Sequence, residues 1–163
     1  MSASLTLSPG AKIELLAPAG KIYDAENLAE VPKLIQRWGF QVRLGGHLLG
    51  QHPFCAAPLE ERWADLKTAL NALDSKALWC YRGGYGSAEL LPKLAELPRP
   101  QHTKLLIGFS DLSALLLFFQ QKWGWPTLHA PGAKQFITQS IDTTSQALLP
   151  GLLQGRIQRI VYP

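Results

Sequence analysis

The sequence predicts an α/β protein with a parallel sheet and helices on both faces of that sheet. Short apolar runs alternate with stretches in which apolar residues recur every three or four positions, which is the pattern of βαβ units. The apolar runs end in glycine, proline or serine, as strands do where they enter loops. With 163 residues, 47% of them hydrophobic, the chain is long enough to bury a core of this kind.

Five strands are predicted, each as a short apolar run bounded by turn residues. The first run ends at Pro18-Ala19-Gly20, and the third ends at Arg82-Gly83-Gly84. The fourth ends at Gly108, and the short fifth run ends at His129. The predicted strands span residues 13–17, 40–44, 77–81, 104–107 and 127–129.

The helices between these strands are indicated by apolar stripes and by the residues at their ends. In the first helix Asp24 stands at the N-cap position, and Pro32 predicts a kink or a later start. The second helix begins at Pro58 and has two glutamates in its first turn, where they suit the helix dipole. The fourth contains five consecutive Leu and Phe residues, which predicts burial on most sides. The predicted helices span residues 25–38, 58–73, 87–97 and 112–122.

The residues after about 136 differ from the α/β pattern that precedes them. Residues 137–145 are polar and rich in threonine, and a short helix (148–153) and a strand (157–162) are predicted after them. We therefore predict an α/β domain over residues 1–136, with residues 137–163 as a linker or the start of a C-terminal domain absent from this chain. The alternative is an edge strand that completes the same sheet.

The composition excludes several classes of function. Charged residues make up 17% of the chain and give a net charge of +4 without a basic block, so no nucleic-acid site is predicted. The sequence contains no apolar run of ~18 residues that could span a membrane, and its amino terminus lacks the features of a secretory signal. We expect a cytoplasmic protein without membrane contact.

The two cysteines cannot build a disulfide framework, and no Cys/His cluster has the spacing of a zinc site. Cys80 lies in an apolar run and is expected to be a small core residue. Cys55 is expected to be an ordinary free thiol in a loop. No metal and no cofactor are expected.

In a parallel α/β sheet the ligand site lies beyond the carboxyl ends of the strands, which selects the loops 18–24, 45–57, 82–87 and 108–111. Ser110 is the main candidate for chemistry because it lies between an apolar strand and an apolar helix, in Gly-Phe-Ser-Asp. A serine at such a turn exposes its hydroxyl, and the amide of Asp111 can point at an oxyanion. The turn resembles the nucleophile elbow Gly-X-Ser-X-Gly without its second glycine. The alternative is that Ser110 or Asp111 only caps the helix.

The loop from Arg82 to Ser87 is the second candidate. Its three glycines follow a strand and allow backbone amides to approach a ligand, either a phosphate or an oxyanion. The spacing matches neither the dinucleotide-binding fingerprint nor the P-loop, and the alternative is a tight turn without a ligand. Arg82 could pair with a substrate carboxylate or form a salt bridge that supports the loop.

A serine nucleophile needs a general base. His129 is the only histidine that follows an apolar run near the expected ligand edge, since His47 and His52 lie in a loop and His102 in a polar connection. The sequence contains no convincing Ser-His-carboxylate set. Either the base lies outside this chain or the serine is not catalytic.

Several segments together resemble the LD-carboxypeptidases, a family of cytoplasmic serine peptidases that includes muramoyltetrapeptide carboxypeptidase and the microcin-C immunity peptidases. The most specific pair is Arg-Gly-Gly-Tyr-Gly at 82–86 followed by Gly-Phe-Ser-Asp at 108–111. His129-Ala130-Pro131 is similar to the family's His-Gly-Pro, with alanine in place of glycine. The other matching segments are 16–20 and 60–66, and the resemblance runs from about residue 12 to 136.

The resemblance implies roles for residues at the predicted ligand edge. Ser110 would be the nucleophile, and the amides of Asp111 and Gly84 would form the oxyanion hole, with Gly83 as the alternative donor to Gly84. Arg82 and Tyr85 would bind the substrate. The family's catalytic glutamate and histidine come from its C-terminal domain, so this chain would be the N-terminal part of the enzyme, with a homodimer expected at full length.

The implied reaction cleaves an L,D-peptide bond and releases D-alanine from murein tetrapeptides in peptidoglycan recycling, without a metal. In the immunity branch of the family the substrate is instead a peptide–nucleotide antibiotic. A different alternative is a non-catalytic, flavodoxin-like domain that binds phosphate through the Arg82 loop. A class I glutamine-amidotransferase relative would share the fold, but serine rather than cysteine at the elbow disfavours it.

Overall fold

A five-stranded, all-parallel sheet forms the centre of the computed structural model, which describes residues 6–159. The strands are β1 (Lys12–Leu16), β2 (Gln41–Leu44), β3 (Ser75–Cys80), β4 (Leu105–Gly108) and β5 (Thr127–His129). Their order is β2-β1-β3-β4-β5, and each neighbouring pair is parallel. The predicted α/β fold is confirmed, and each of the five strands predicted between residues 13 and 129 overlaps an observed one.

The strand order is that of a flavodoxin-like sheet and has its switch point between β1 and β3. The chain passes outward from β1 to β2 and then returns across β1 to β3. The connections after β1 and β3 therefore cover opposite faces of the sheet, and the loops that follow these two strands diverge. A ligand crevice is expected where they separate, beyond the carboxyl ends of the strands.

Helices cover both faces of the sheet. The first helix buries an apolar stripe and runs through Pro32, so the later start that Pro32 predicted does not occur. Asp24 occupies its N-cap position, but the side chain makes no capping hydrogen bond and pairs with Lys134 at 3.2 Å. The α-helices of the described residues are α1 (Ala25–Arg37), α2 (Leu59–Asn71), α3 (Leu91–Ala95), α4 (Ser113–Phe118), α5 (Ala133–Ile137) and α6 (Thr143–Leu153).

Two predicted helices are divided into segments of different pitch. The 87–97 segment begins as a 3-10 turn (Ser87–Leu90) and becomes α3 where Pro92 lies in the first α-helical turn, the part of a helix that tolerates proline. The 112–122 segment begins with a 3-10 turn (Ser110–Leu112), continues as α4 and ends in a π-turn (Phe119–Trp123). Its apolar run is buried at Leu115, Leu116 and Phe119, as predicted, whereas Leu117 is 53% exposed.

Two hydrophobic clusters form the core, one on each face of the sheet. Successive residues of β3 divide between them, since Trp79 belongs to the cluster under α1, α5 and α6, whereas Leu78 and Cys80 belong to the cluster under α2, α3 and α4. This division follows from the alternation of side chains along a strand. Both faces of β3 are therefore buried, which explains its continuous apolar sequence.

The segment after residue 136 contributes to the same core. Helix α6 extends the predicted helix 148–153 and buries Leu149 and Leu153. The Leu7 N–H donates to the Leu153 carbonyl at 2.7 Å. Residues 157–159 form no strand, and the rest of the predicted strand lies outside the described residues. The role of residues 137–163 as a link to a further domain remains a prediction.

No helix among residues 6–159 is both long enough and apolar enough to cross a membrane.

Candidate active site

Ser110 lies at a sharp turn between β4 and α4. Its φ of 58° is in the left-handed region, which residues other than glycine rarely adopt and which costs about 1–3 kcal/mol. Phe109 before it is fully extended, and the 3-10 turn begins at Ser110 itself. The serine is exposed. The strained strand-to-helix turn predicted from the sequence is thus present, and it has the form of a nucleophile elbow.

The helix-cap alternative for this turn has no support in its hydrogen bonds. Phe109 occupies the N-cap position, and no side chain caps the 3-10 turn that follows it. The carboxylate of Asp111 instead accepts a hydrogen bond from the N–H of Ser87, in the neighbouring loop. Neither the Ser110 nor the Asp111 side chain therefore caps the helix that begins at this turn.

Gly83 packs directly against Ser110. A Cβ atom at Gly83 would lie 2.9 Å from the Cβ and 3.3 Å from the Oγ of Ser110, which is too close for an added side chain. The Arg82–Ser87 loop can approach the serine only because backbone alone lies at this point. Main-chain groups rather than side chains consequently border the Ser110 hydroxyl.

The peptide between Gly83 and Gly84 has a fixed orientation. The Gly83 carbonyl accepts a hydrogen bond from the N–H of Gly20 at 3.1 Å, and Gly84 has a φ of 124°. Within residues 6–159 the Gly84 N–H has no acceptor. Because the carbonyl and the N–H of a trans peptide point in opposite directions, this N–H points away from the β1 loop and is free to bind a ligand.

Asp111, which follows Ser110, is hydrogen-bonded to the end of the Arg82–Ser87 loop. The buried Ser87 donates its N–H to the Asp111 carboxylate at 2.9 Å and its hydroxyl to the Asp111 carbonyl at 2.6 Å. The N–H of Asp111 lies in the first turn of the helix, where backbone N–H groups lack an acceptor within the helix. The Asp111 amide is therefore also available to a ligand.

Arg62 is a site residue that the sequence analysis missed. Its buried guanidinium donates to the carbonyls of Ala57, Pro18 and Gly86 at 2.8–2.9 Å and pairs with the Glu89 carboxylate. One side chain thus joins the loops that follow β1, β2 and β3. The available signal was its position, because Arg62 continues the buried stripe of α2 that includes Leu66. A charge on a buried stripe needs several partners.

Arg82 is engaged with the β1 loop rather than with a carboxylate. Its guanidinium donates to the carbonyl of Lys21 at 3.0 Å and lies over the Tyr23 ring, 5.9 Å from the ring centre. No ion pair of Arg82 is present among the described residues, so the expected loop-supporting salt bridge is replaced by these two contacts. Tyr85 extends into solvent and is 62% exposed. Tyr23 and Phe54, from the neighbouring loops, are similarly exposed.

None of the histidines supplies a base to Ser110 within residues 6–159. His129 lies beside Gly108 in the sheet and is exposed, and no hydrogen bond joins it to Ser110. His47 bonds to Asp65 at 2.7 Å, and this bond raises the pKa of the imidazole. His52 accepts the N–H of Cys55 at 2.9 Å and shapes its loop.

The cysteines have structural positions. Cys80 is fully buried, and burial raises its pKa to about 12. Cys55 is a free thiol as predicted, but it is buried under the loops, where burial raises its pKa and its Sγ contacts the Tyr85 carbonyl at 3.4 Å. Residues 6–159 contain no group of three or more potential metal ligands.

A strained, exposed serine after a buried strand, packed against the Gly83 backbone, defines an α/β protein with a nucleophile elbow. Residues 13–130 match the sequence model of the LD-carboxypeptidase N-terminal domain. The matched range includes the Ser110 turn, the Arg82–Ser87 loop and Arg62. The chain belongs to the LD-carboxypeptidase family.

Individual relatives agree with this assignment. Murein tetrapeptide carboxypeptidase of Pseudomonas aeruginosa is 38% identical over 128 residues, which are 75% of this chain and 39% of that protein. The crystal structure of muramoyltetrapeptide carboxypeptidase from Oxalobacter formigenes superposes with a TM-score of 0.64 at 26% identity, covering 76% of this chain and 40% of the other. The microcin C7 self immunity protein MccF shares the fold, with a TM-score of 0.77 at 20% identity over 92% of this chain and 46% of its own. The chain spans less than half the length of these proteins.

Proposed function

We propose that this chain is the nucleophile-bearing part of a serine LD-carboxypeptidase that releases D-alanine from murein tetrapeptides. The observation that carries the proposal is the strained, exposed Ser110 packed against the backbone of Gly83. Family membership supports peptidase chemistry. The name of the relative at 38% identity supports a murein substrate.

In the proposed reaction Ser110 Oγ attacks the carbonyl carbon of the L,D-peptide bond, and its proton passes to a general base. A bond from oxygen to carbon forms, and the carbonyl oxygen becomes an oxyanion. The intermediate then collapses, the carbon–nitrogen bond breaks, and D-alanine leaves with the proton from the base. Water hydrolyses the resulting ester and regenerates the serine.

The oxyanion would be held by the N–H groups of Gly84 and Asp111. Both lack a main-chain acceptor among the described residues. Asp111 follows Ser110 directly, and Gly84 follows Gly83, which packs against Ser110. One such donor typically contributes about 2.7–4 kcal/mol to lowering the barrier. Gly83 remains the alternative donor, whereas the bond from the Gly20 N–H to the Gly83 carbonyl orients the peptide that carries the Gly84 N–H.

We assign the general base and the carboxylate that orients it to a part of the full-length enzyme outside this chain. No histidine among residues 6–159 bonds to Ser110, and the family resemblance places a histidine and a glutamate in a C-terminal domain. The 163-residue chain alone should therefore have negligible peptidase activity, because an unassisted serine hydroxyl is a weak nucleophile.

Arg82 and Tyr85 are proposed to bind the substrate. One nitrogen of the Arg82 guanidinium is used by the Lys21 carbonyl, and its remaining N–H groups can pair with a substrate carboxylate. Tyr85 offers an exposed ring at the rim of the site. A peptide that ends in a carboxylate fits this combination.

A peptide–nucleotide antibiotic is the second substrate considered, as in the immunity branch of the family. The 20% identity to the immunity protein supports a common fold, whereas the more similar relative is named for murein tetrapeptide. We therefore favour the murein substrate.

The test uses the full-length protein that carries this domain, with D-alanine release from murein tetrapeptide as the measurement. Ser110→Ala should abolish release, whereas Ser113→Ala, a matched change three residues along, should retain it. Release by the Ser110→Ala protein at the wild-type rate would overturn the covalent mechanism. Hydrolysis of a peptide–nucleotide conjugate in preference to the tetrapeptide would replace the murein substrate with the antibiotic.

A further inference from the structure

We infer that Ser87 and the Asp111 carboxylate are positioning residues that form a two-bond clamp between the loop carrying Gly84 and the turn carrying Ser110. The clamp fixes the distance between the N–H groups of Gly84 and Asp111. This inference rests on the proposed function for its catalytic meaning, but its structural content can be tested separately.

The clamp is short and shielded from solvent. The Ser87 hydroxyl donates to the Asp111 carbonyl at 2.6 Å, and the Ser87 N–H donates to the Asp111 carboxylate at 2.9 Å. Ser87 has no exposed surface. Hydrogen bonds in such surroundings are strong relative to those in water, and the bond to the carboxylate is charge-assisted.

The two bonds leave one group of Asp111 unused. Ser87 occupies both its carbonyl and its side chain, so the N–H is the remaining main-chain group that can meet a ligand. Because residue 111 is held at two points, its N–H cannot turn without breaking a buried hydrogen bond. The clamp therefore sets the direction of one oxyanion donor.

The other end of the clamp is itself anchored. Gly86, immediately before Ser87, has a φ of 110°, and its carbonyl accepts the Arg62 guanidinium at 2.8 Å. At the start of the loop, the Gly83 carbonyl accepts the Gly20 N–H. Gly84 thus lies between two anchored residues, Gly83 and Gly86. The hydrogen bonds of Ser87 hold the Ser110 turn in place relative to these anchors.

A simpler role would be stabilisation alone, since the same bond from the Ser87 N–H to the Asp111 carboxylate would cap the start of the 3-10 turn Ser87–Leu90. Loss of such a cap lowers stability but leaves the amides of Gly84 and Asp111 in place. Loss of a clamp moves them. The two roles therefore predict different positions for the Gly84 and Asp111 amides, which can be measured independently of the melting temperature.

The first experiment uses the 163-residue chain labelled with 15N, below its melting temperature. Ser87→Ala should shift and broaden the amide signals of both Gly84 and Asp111, and Asp111→Ala should do so for Gly84. Asp111→Asn, which keeps an acceptor oxygen, should restore the Gly84 signal toward wild type. Ser113→Ala is the control and should leave the Gly84 signal unchanged. Unchanged Gly84 and Asp111 signals in Ser87→Ala would overturn the inference, whatever its melting temperature.

The second experiment uses the full-length protein, which supplies the general base, and adds a peptide boronic acid whose boron replaces the scissile carbonyl carbon. The Ser110 oxygen bonds to boron, the hydroxyl proton leaves to solvent, and the tetrahedral boronate places an oxygen at the oxyanion position. Ser87→Ala should weaken this adduct by about tenfold to a hundredfold, the effect of a misplaced group. If the full-length wild-type protein forms no adduct, the proposed function fails and the amide signals still decide the clamp. If Ser87→Ala binds the boronate as tightly as wild type, the clamp has no role in anion binding.

Discussion

The N–H of Gly20 donates to the carbonyl of Gly83 at 3.1 Å, and this bond determines which way the Gly83–Gly84 peptide faces. Gly20 belongs to the loop after β1 and Gly83 to the loop after β3, the two strands that border the switch point of the sheet. The two backbones are in direct contact, since a Cβ at Gly84 would lie 2.6 Å from the Cα of Gly20. The strand order thus brings Gly20 next to Gly83, and their hydrogen bond orients the Gly84 N–H, one of the proposed oxyanion donors.

Gly20→Ala should displace the Gly84 N–H, the proposed oxyanion donor, more than it affects the fold. The added methyl would lie 2.6 Å from the Gly83 carbonyl oxygen, so the peptide has to move. In the full-length protein we expect kcat to fall by about a hundredfold, as for a misplaced catalytic group, with KM nearly unchanged. Gly46→Ala is the matched control, because its nearest neighbour would be 3.6 Å away. Equal kcat values for the two variants would contradict the proposed orientation.

Two substitutions of Ser110 separate strain from chemistry. Glycine adopts a φ of 58° without penalty, so Ser110→Gly should raise the free energy of unfolding by about 1 kcal/mol or more relative to Ser110→Ala. Both variants should lose D-alanine release in the full-length protein. Urea unfolding of the two proteins measures the difference. A less stable glycine variant would indicate that this turn is not strained.

Substitution of Arg62 should affect stability strongly. Arg62→Leu leaves the carbonyls of Ala57, Pro18 and Gly86 without their donor, and each such loss in a buried site costs about 1–3 kcal/mol. Arg62→Lys should recover only part of the loss, since an ammonium cannot reproduce the planar fork. The measurement is the free energy of unfolding in urea. Glu89→Gln is the control: this partner is 41% exposed, and we expect a change of about 0–1 kcal/mol.

Stability should also depend on Asp74 at low pH. Hydrogen bonds from Lys12 and then Arg43 lower the pKa of this carboxyl from 3.8 to about 2. Because the folded-state pKa is depressed, the contribution is complete above about pH 4 and is lost as the pH falls toward 2. Asp74→Asn should remove this part of the pH dependence in thermal melts. Lys12→Met should reduce it, and a Lys12→Met protein with the wild-type slope would contradict the assigned cause.

The sequence predicted the sheet and the position of Ser110 because both depend on local patterns. Strands buried on both faces have continuous apolar runs, and β3 and β4 therefore stand out from their flanking turns. The Ser110 turn is recognisable because one short motif lies between such a strand and an apolar helix. Helix pitch was harder to predict, since the change at Pro92 and the π-turn after Phe118 depend on packing as well as composition.

The contacts that shape the site could not be predicted in the same way. The bonds of Gly20 to Gly83 and of Ser87 to Asp111 join residues far apart in the sequence, and no local pattern encodes their pairing. Arg62 was not predicted as a site residue, although its spacing from Leu66 places it on the buried stripe. The missing information was the strand order, which determines which loops become neighbours.

The Arg62 guanidinium anchors three loops. This divides the site into two parts that can accumulate substitutions at different rates during evolution. The main-chain donors near Ser110 belong to a bonded framework, whereas Tyr23, Phe54 and Tyr85 extend from the same loops into solvent, each at least 62% exposed. Replacement of these three side chains leaves the Arg62 bonds intact. Such a division lets a lineage acquire new substrates by altering the rim while inheriting the reacting centre unchanged.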